Sequence, residues 1–231
     1  MSTIAEKLQI ILNAKTAIKS AIEAKGVSDV GDKIEDYATK IGEISGSSSE
    51  YSDVDGMCYA YSTITEFPEG WKFTPRSTTH CANMFSTSKS LTKIPQLDTS
   101  KGTNFYAMFE DCSSLTTIPQ LDTSKGTNFA QMFINCSSLI TIPQLDTSKG
   151  TNFYAMFFEC SSLTTLGGLV GLSKALSLSE STELTHDSLM NVINNLATVT
   201  SSTTLTLGST NLAKLTDEEK KVATDKGWTL A

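Results

Sequence analysis

The chain has 231 residues, a formal net charge of −7 and a charged fraction of only 19%. This acidic balance, with lysines interspersed among the acids, excludes nucleic acid as a partner, because phosphate recognition requires a basic face. Membrane insertion is not expected either, since no apolar run reaches the roughly 18 residues of a spanning helix. The first residues lack a basic start and a continuous apolar block, so we expect no signal peptide.

Residues 1–45 are predicted to form an α-helical attachment and oligomerisation segment. Thr3 and Glu6 have the spacing of a capping box, and Gly26 is a natural helix stop. One amphipathic helix cannot bury its apolar stripe alone, so the stripe needs a partner. Two alternatives stay open: a hairpin within the chain, or self-association, most readily as a homotrimer, with Lys15 interrupting the heptad seam. The apolar residues of that seam are Ile4, Leu8, Ile11, Ile18 and Ile22.

The stretch "SGSSSEYSD" at 45–53 indicates a Ser/Gly linker, assigned to residues 46–56, before a repeat region at 57–176. A Met-Phe pair recurs every 24 residues, and an earlier degraded copy at 57–68 is joined to the next by three additional residues. This period is typical of leucine-rich repeats, in which each unit is one coil of a solenoid. The pairs are Met84-Phe85, Met108-Phe109, Met132-Phe133 and Met156-Phe157.

Each copy is predicted to contribute a short strand, a turn and a short helical or 3₁₀ return. "LTTIP" is strand-like and ends in proline, "LDTSKGTN" has turn chemistry, and "NFYAMF" is the return. Equivalent residues of stacked copies then form columns about 4.8 Å apart. We expect one column, Cys112, Cys136 and Cys160, to be buried. A second column, Asp98, Asp122 and Asp146, is expected to accept hydrogen bonds from turn amides, with nearby lysines offsetting its negative charge.

The positions that differ between copies flank the Met-Phe pair and predict an exposed ridge for partner binding. Isoleucine and phenylalanine replace a glutamate there, which favours a contact surface, although drift on a tolerant surface is the alternative. Aromatic side chains offer a large contact area and stack on sugars. The ridge residues are Tyr106, Ile134, Tyr154 and Phe158.

Residues 177–231 are predicted to be a strand-helix cap for the last open face of the solenoid. A helix begins near Thr185, a second has a capping box at Thr216 and Glu219, and Gly227 stops it. Strands are expected at "ALSLS", "TLTLGST" and "WTLA". His186 is expected to be a solvated first-turn residue.

The unit "LDTSKGTNFYAMFEDCSSLTTIP" resembles the leucine-rich repeats of BspA-like surface proteins. The closing segment is similar to repeat proteins of gut bacteria and bacteriophages, and the N-terminal segment resembles helical segments of phage fibre proteins. The resemblance implies an α/β leucine-rich-repeat solenoid with an interaction role. It implies a virion structural protein of the head or tail, which contacts other virion proteins and presents its repeats to a host-surface glycan or protein. A bacterial surface adhesin or interaction scaffold is the alternative.

No residues have the arrangement of a catalytic, cofactor or metal site. A glycan hydrolase needs paired carboxylates in one cleft, whereas the acids here are repeated turn residues or scattered over helix surfaces. We therefore expect a protein that is not an enzyme, needs no cofactor, and resides in the virion or, in the alternative, on the bacterial cell surface.

Overall fold

A computed structural model describes Thr65–Glu66 and residues 81–231. The predicted helical segment at 1–45, the linker at 46–56 and most of the early repeat copy lie outside the described residues. Within them, short parallel strands are followed by a C-terminal part that contains both helices and strands, and none of the sheets closes into a barrel. The expectation of a mixed α/β chain is therefore confirmed for this part of the protein.

The repeat copies lie side by side through four segments that we call the turn segments, at residues 81–87, 104–111, 128–135 and 152–159. Every second backbone N–H of one turn segment donates to a carbonyl of the next, over 2.7–3.0 Å. Phe109, for example, donates to the Met132 carbonyl, and Phe133 donates to the Met156 carbonyl. The three junctions contain four such bonds each. The alternate N–H groups of the first three turn segments are therefore paired only because the next copy supplies their acceptors.

The turn segments are not helices, so the prediction of a helical or 3₁₀ return is wrong. Each contains two non-glycine residues of positive φ, such as Ala107 at 50° and Asp111 at 58°. A left-handed residue at every fourth position breaks the run of right-handed residues that a helix needs. The chain forms successive turns instead, and its alternate N–H groups remain available to the neighbouring copy.

Short parallel strands form the opposite part of each copy. The strands β1 (Thr141–Ile142) and β2 (Leu145–Asp146) pair with β3 (Thr165–Leu166) and β4 (Leu169–Val170) in the next copy. The first pair confirms the strand predicted at "LTTIP", whereas β2 lies where only a turn was expected. A bridge between Glu66 and Lys93, 27 residues apart, agrees with the three additional residues after the earliest copy.

The core of the repeats consists of stacked identical side chains. Two phenylalanine columns place successive ring centroids 5.3–5.7 Å apart, with ring planes within 3–11° of parallel. These spacings somewhat exceed the strand spacing expected from the sequence. The columns are fully or almost fully buried, and they comprise Phe85, Phe109, Phe133 and Phe157 in one and Phe105, Phe129 and Phe153 in the other.

The aspartate column lies in the turns, as predicted. Asp122 Oδ1 accepts from the Ser124 N–H at 3.1 Å and from the Ser124 hydroxyl at 2.7 Å, and Asp98 and Asp146 make the same pair of bonds. These bonds, with a smaller contribution from Lys125, lower the pKa of Asp122. The stacked negative charges are therefore stabilised by local donors.

The C-terminal segment, residues 171–231, combines helices and a small sheet. β5 (Leu176–Ser177), β6 (Thr203–Thr206) and β7 (Trp228–Leu230) form a parallel sheet in that order. Along the chain, α1 (His186–Asn195) lies between β5 and β6, and both α2 (Gly208–Leu212) and α3 (Asp217–Asp225) lie between β6 and β7; α2 was not predicted. Gly227 has a φ of +87°, and a Cβ there would lie 2.2 Å from the Val199 carbonyl oxygen, so the predicted helix stop requires glycine.

Candidate functional site

The predicted ridge residues lie on the turn segments, next to the buried Met-Phe pairs. Tyr106, Tyr154 and Phe158 are 37%, 74% and 47% exposed, whereas Ile134 is half-buried. Large aromatic side chains with this exposure are the usual anchors of a binding surface. Exposure thus singles out Tyr154 and Phe158 of the fourth turn segment as the most accessible members of the ridge.

The backbone holds these side chains in place. The Asn104 and Asn152 side chains each accept the N–H of the tyrosine two residues later, at 3.1 Å. Phe153, Met156 and Phe157 are buried around Tyr154, which anchors the turn segment in the core. Ridge side chains therefore project from a backbone fixed on both sides by core residues, which reduces the entropy cost of contact.

The same residue type is more exposed in the fourth turn segment than in the second. Tyr106 and Tyr154 occupy equivalent positions, yet the exposed fraction doubles from 37% to 74%. Ala107 is fully buried, whereas Ala155 is only half-buried. The second turn segment is covered by the third through four backbone hydrogen bonds, and the fourth has no equivalent neighbour among the described residues.

Sequence reasoning missed one exposed apolar residue. Ile140 is 46% exposed and stands where the neighbouring copies have Thr116 and Thr164. Its N–H donates to the Thr116 carbonyl at 2.9 Å, so it lies on the strand side of the copy rather than on the turn segment. The replacement of threonine by isoleucine in one copy was the available signal.

A shallow groove of about 390 Å³ crosses the turn side of the repeats and reaches the ridge at Phe158. Asn135 Nδ2 donates to Asp111 Oδ1 at 2.7 Å within it. Carboxylates, an amide, hydroxyls and an ammonium group line the groove beside one aromatic ring, which suits a polar ligand with an apolar face. The lining residues are Lys89, Asp111, Ser113, Asn135, Ser137, Phe158 and Glu159.

The cysteine column is buried and lies apart from this surface. Each thiol donates to a phenylalanine carbonyl of the preceding copy, and the bond from Cys136 Sγ to the Phe109 oxygen is 3.0 Å long. Burial raises the pKa of Cys160 to about 12 and raises that of Cys136 strongly. In the part of the chain that the structure describes, no group of three or more His, Cys, Asp and Glu residues is placed to hold a metal ion.

His186 is paired, whereas the sequence suggested simple solvation. Its Nε2 lies 2.8 Å from Glu219 Oε1, and its Nδ1 lies 3.4 Å from Asp187 Oδ1. The hydrogen bond to Glu219, followed by the one to Asp187, raises the pKa of His186. This pair joins α1 to α3 and lies outside the ridge.

The predicted oligomerisation residues Ile4, Leu8, Ile11, Ile18 and Ile22 lie outside the described residues. In the described residues, no helix is long and apolar enough to cross a membrane. The ridge and the adjoining groove are therefore the candidate site that the structure describes.

Residues 50–167, just over half of the chain, match the family described as "Mycoplasma protein of unknown function, DUF285". The chain belongs to the DUF285 family. This family is associated with BspA-like repeat proteins, which agrees with the resemblance of the repeat unit. No curated protein and no solved structure matches the chain with statistical significance.

Proposed function

We propose that the protein is a non-enzymatic adhesion protein of a bacteriophage virion, which presents stacked repeats to a host or mucosal surface. The observation that carries the adhesion role is the exposed aromatic pair Tyr154 and Phe158 on an anchored turn segment. A rigid backbone presenting aromatic side chains is the arrangement typical of binding surfaces that lose little entropy on contact.

The repeats are interpreted as coils of a leucine-rich-repeat solenoid of about 24 residues, closed by the C-terminal segment. Parallel bridges between residues 24 apart, such as Asn104 with Asn128, support this interpretation. Leu166 and Gly171 donate to Ser188 Oγ and the Asn195 carbonyl of α1, which supports a capping role for that helix. A solenoid needs such an end to cover the apolar face of its last coil.

The ligand class that fits the ridge and groove best is a surface glycan. Phe158 supplies a ring for the apolar face of a sugar, and Asp111 and Asn135 supply hydrogen-bonding groups beside it. A protein ligand is the second possibility, because aromatic side chains are equally frequent at protein interfaces. Binding of the purified chain to host-cell polysaccharide and to protease-treated host cells separates the two.

The assignment to a virion rests on the resemblance of the N-terminal and closing segments to phage proteins. Mass spectrometry of purified phage particles tests it, and we expect the chain to be present after nuclease and high-salt treatment. Its absence from particles, together with exposure on the surface of an expressing bacterium, would favour the alternative of a BspA-like adhesin. Membership of the DUF285 family supports that alternative.

Residues 1–44 are proposed to anchor the protein to other virion proteins and to assemble a homotrimer. Light scattering of the full chain and of a 50–231 fragment provides the comparison. We expect a trimer for the full chain and a monomer for the fragment. A monomer in both cases would remove the oligomerising role of the N-terminal segment.

A further inference from the structure

The groove beside the ridge runs along the stack of copies. Its lining residues come from four successive copies, and each of its two walls repeats one position of the copy at intervals of 24 residues. A ligand in the groove therefore meets equivalent positions of several copies in turn. The acceptor wall consists of Asp111, Asn135 and Glu159, and the lysine wall consists of Lys89, Ser113 and Ser137.

Backbone hydrogen bonds fix the two walls relative to each other. The Ser113 N–H donates to the Asp111 carbonyl at 2.9 Å, and the Lys89 N–H donates to the Thr87 carbonyl at 2.8 Å. Asp111 is also tied to the following copy, because its N–H donates to the Ile134 carbonyl at 2.9 Å. The groove is therefore formed before a ligand binds, which reduces the entropy cost of binding.

The length of the groove can be measured along the phenylalanine column of the same turn segments. From Phe85 to Phe157, the three successive distances between ring centroids are 5.5, 5.5 and 5.7 Å, or about 17 Å in all. A pyranose ring with its glycosidic linkage spans a length similar to one of these steps. A linear glycan can therefore place one sugar over each of the four copies.

The acceptor wall favours a glycan over a peptide. Asn135 Nδ2 donates to Asp111 Oδ1 at 2.7 Å, which leaves Asp111 Oδ2 and Asn135 Oδ1 as acceptors. The exposed carboxylate of Glu159 adds further acceptors. Each sugar carries several O–H donors, whereas a peptide has one backbone N–H for each residue. The acceptor wall thus matches a ligand that is rich in donors.

The lysine wall carries a positive charge at one end. Among the described residues that line the groove, Lys89 alone is cationic, and it lies in the first of the four copies. Its side chain is exposed, and its ammonium group has no hydrogen bond or ion pair with any other described residue. Three copies separate Lys89 from Glu159, farther than the roughly 8 Å over which physiological salt screens charges. The two charges therefore act on different parts of a bound ligand.

We propose that the groove binds a linear glycan lengthwise, with an anionic sugar at Lys89 and uncharged sugars along the acceptor wall towards Phe158. The anionic group is a carboxylate or a sulfate, which the Lys89 ammonium attracts and the carboxylates of Asp111 and Glu159 repel. The direction of the glycan chain is thereby fixed. This inference rests on the proposed adhesion to a surface glycan and names the class of glycan.

Calorimetric titration of the full chain with host-cell polysaccharide tests the charge requirement. The polysaccharide is used untreated, after chemical reduction of its carboxylates to alcohols, and after removal of its sulfates. We expect at least one of the two treatments to lower the affinity about fivefold, the scale of an exposed ion pair. Unchanged affinity after both treatments would overturn the anionic sugar and leave the adhesion function standing. No binding of the untreated polysaccharide would contradict both this inference and the proposed glycan ligand.

A matched pair of variants locates the charge. Lys89→Ser introduces the residue that stands at the equivalent positions 113 and 137, so the fold should tolerate it. Its affinity for the untreated polysaccharide should fall about fivefold, and it should bind the neutralised polysaccharide as well as the parent does. Lys149→Ser removes the same charge from an exposed position outside the groove and should bind like the parent. Equal losses in the two variants would show that net charge attracts the ligand and would overturn the role of Lys89.

Oligosaccharides of increasing length, prepared from the same polysaccharide, test the lengthwise orientation. The affinity should rise with each added sugar up to four, one for each copy that the groove crosses, and then level off. An affinity that is already level from a single sugar onward would overturn the lengthwise arrangement.

Discussion

The repeat copies and the C-terminal segment satisfy their backbone groups in different ways. Alternate N–H groups of a turn segment donate to a neighbour one whole copy away, as Phe109 does to Met132. Two helices of the C-terminal segment, α1 and α3, are instead capped by side chains at their own N-termini, as Thr185 accepts from the Ser188 N–H at 3.2 Å. Damage to one copy therefore affects its neighbours, whereas damage to a helix cap stays local.

The largest effect is expected from truncating the phenylalanine column. Phe133 is fully buried and lies 5.5 Å from Phe109 and 5.7 Å from Phe157, measured between ring centroids. Phe133→Ala should lower the free energy of unfolding by about 3–5 kcal/mol, because it leaves a cavity in contact with two copies. Chemical denaturation provides the measurement.

Ile140→Thr is the matched control for that truncation. It also replaces an apolar side chain of the third copy, but Ile140 is 46% exposed and threonine occupies the equivalent positions. Its effect should stay within about 0.5 kcal/mol. If both variants lose the same stability, the stacked column is not the source of cohesion between copies.

A smaller and local effect is expected at the α3 cap. Thr216 Oγ accepts from the Glu219 N–H at 3.2 Å, and Glu219 Oε2 accepts from the Thr216 N–H at 2.8 Å. Thr216→Ala should cost about 1 kcal/mol, and Thr216→Ser, which keeps the hydroxyl, should restore most of it. Hydrogen exchange should accelerate in α3 and not in the turn segments. Equal acceleration of exchange in α3 and in the turn segments would show that the effect of the cap is not local.

The smallest effect is the pH dependence from the His186–Glu219 pair. The pKa of His186 is raised above 6.5. The stabilisation of the folded state by protonated His186 is therefore complete below pH 6.5 and is lost as the pH rises through the raised pKa. The pKa of Glu219 is lowered first by the bond from the Thr216 N–H and then by the bond to His186, so the contribution of these bonds to folding stability is present above pH 4.5 and is lost as the pH falls through the lowered value. The Tm difference between the parent and His186→Gln should therefore be greatest between about pH 4.5 and 6.5. A difference that grows above pH 7 would contradict this pairing.

The sequence predicted those parts of the fold that depend on local or periodic signals. The caps at Thr185 and Thr216 and the stop at Gly227 follow from side chains within a few residues, and the buried columns follow from the period of 24. The turn segments were assigned wrongly because their left-handed residues, such as Ala107 and Gln131, carry no glycine signal. Backbone bonds between neighbouring copies, which the fourth turn segment accepts from the third, accompany that conformation and are not visible in a local stretch of sequence.

The position of the candidate site was predictable from the sequence, but the differences in exposure between its residues were not. The variable residues identified Tyr106, Tyr154 and Phe158, yet the greater exposure of Tyr154 depends on which copy lacks a neighbour.

The most direct test of the binding surface measures host-surface binding and Tm together for the double variant Tyr154→Ser and Phe158→Ser. Both side chains are exposed, so we predict at least a tenfold loss of binding with a Tm within about 2 °C of the parent. Phe133→Ala, which acts through the core, should instead lower the Tm. If the double variant binds the host surface as well as the parent does, or melts at a clearly lower temperature, the exposed aromatic ridge is not the binding surface.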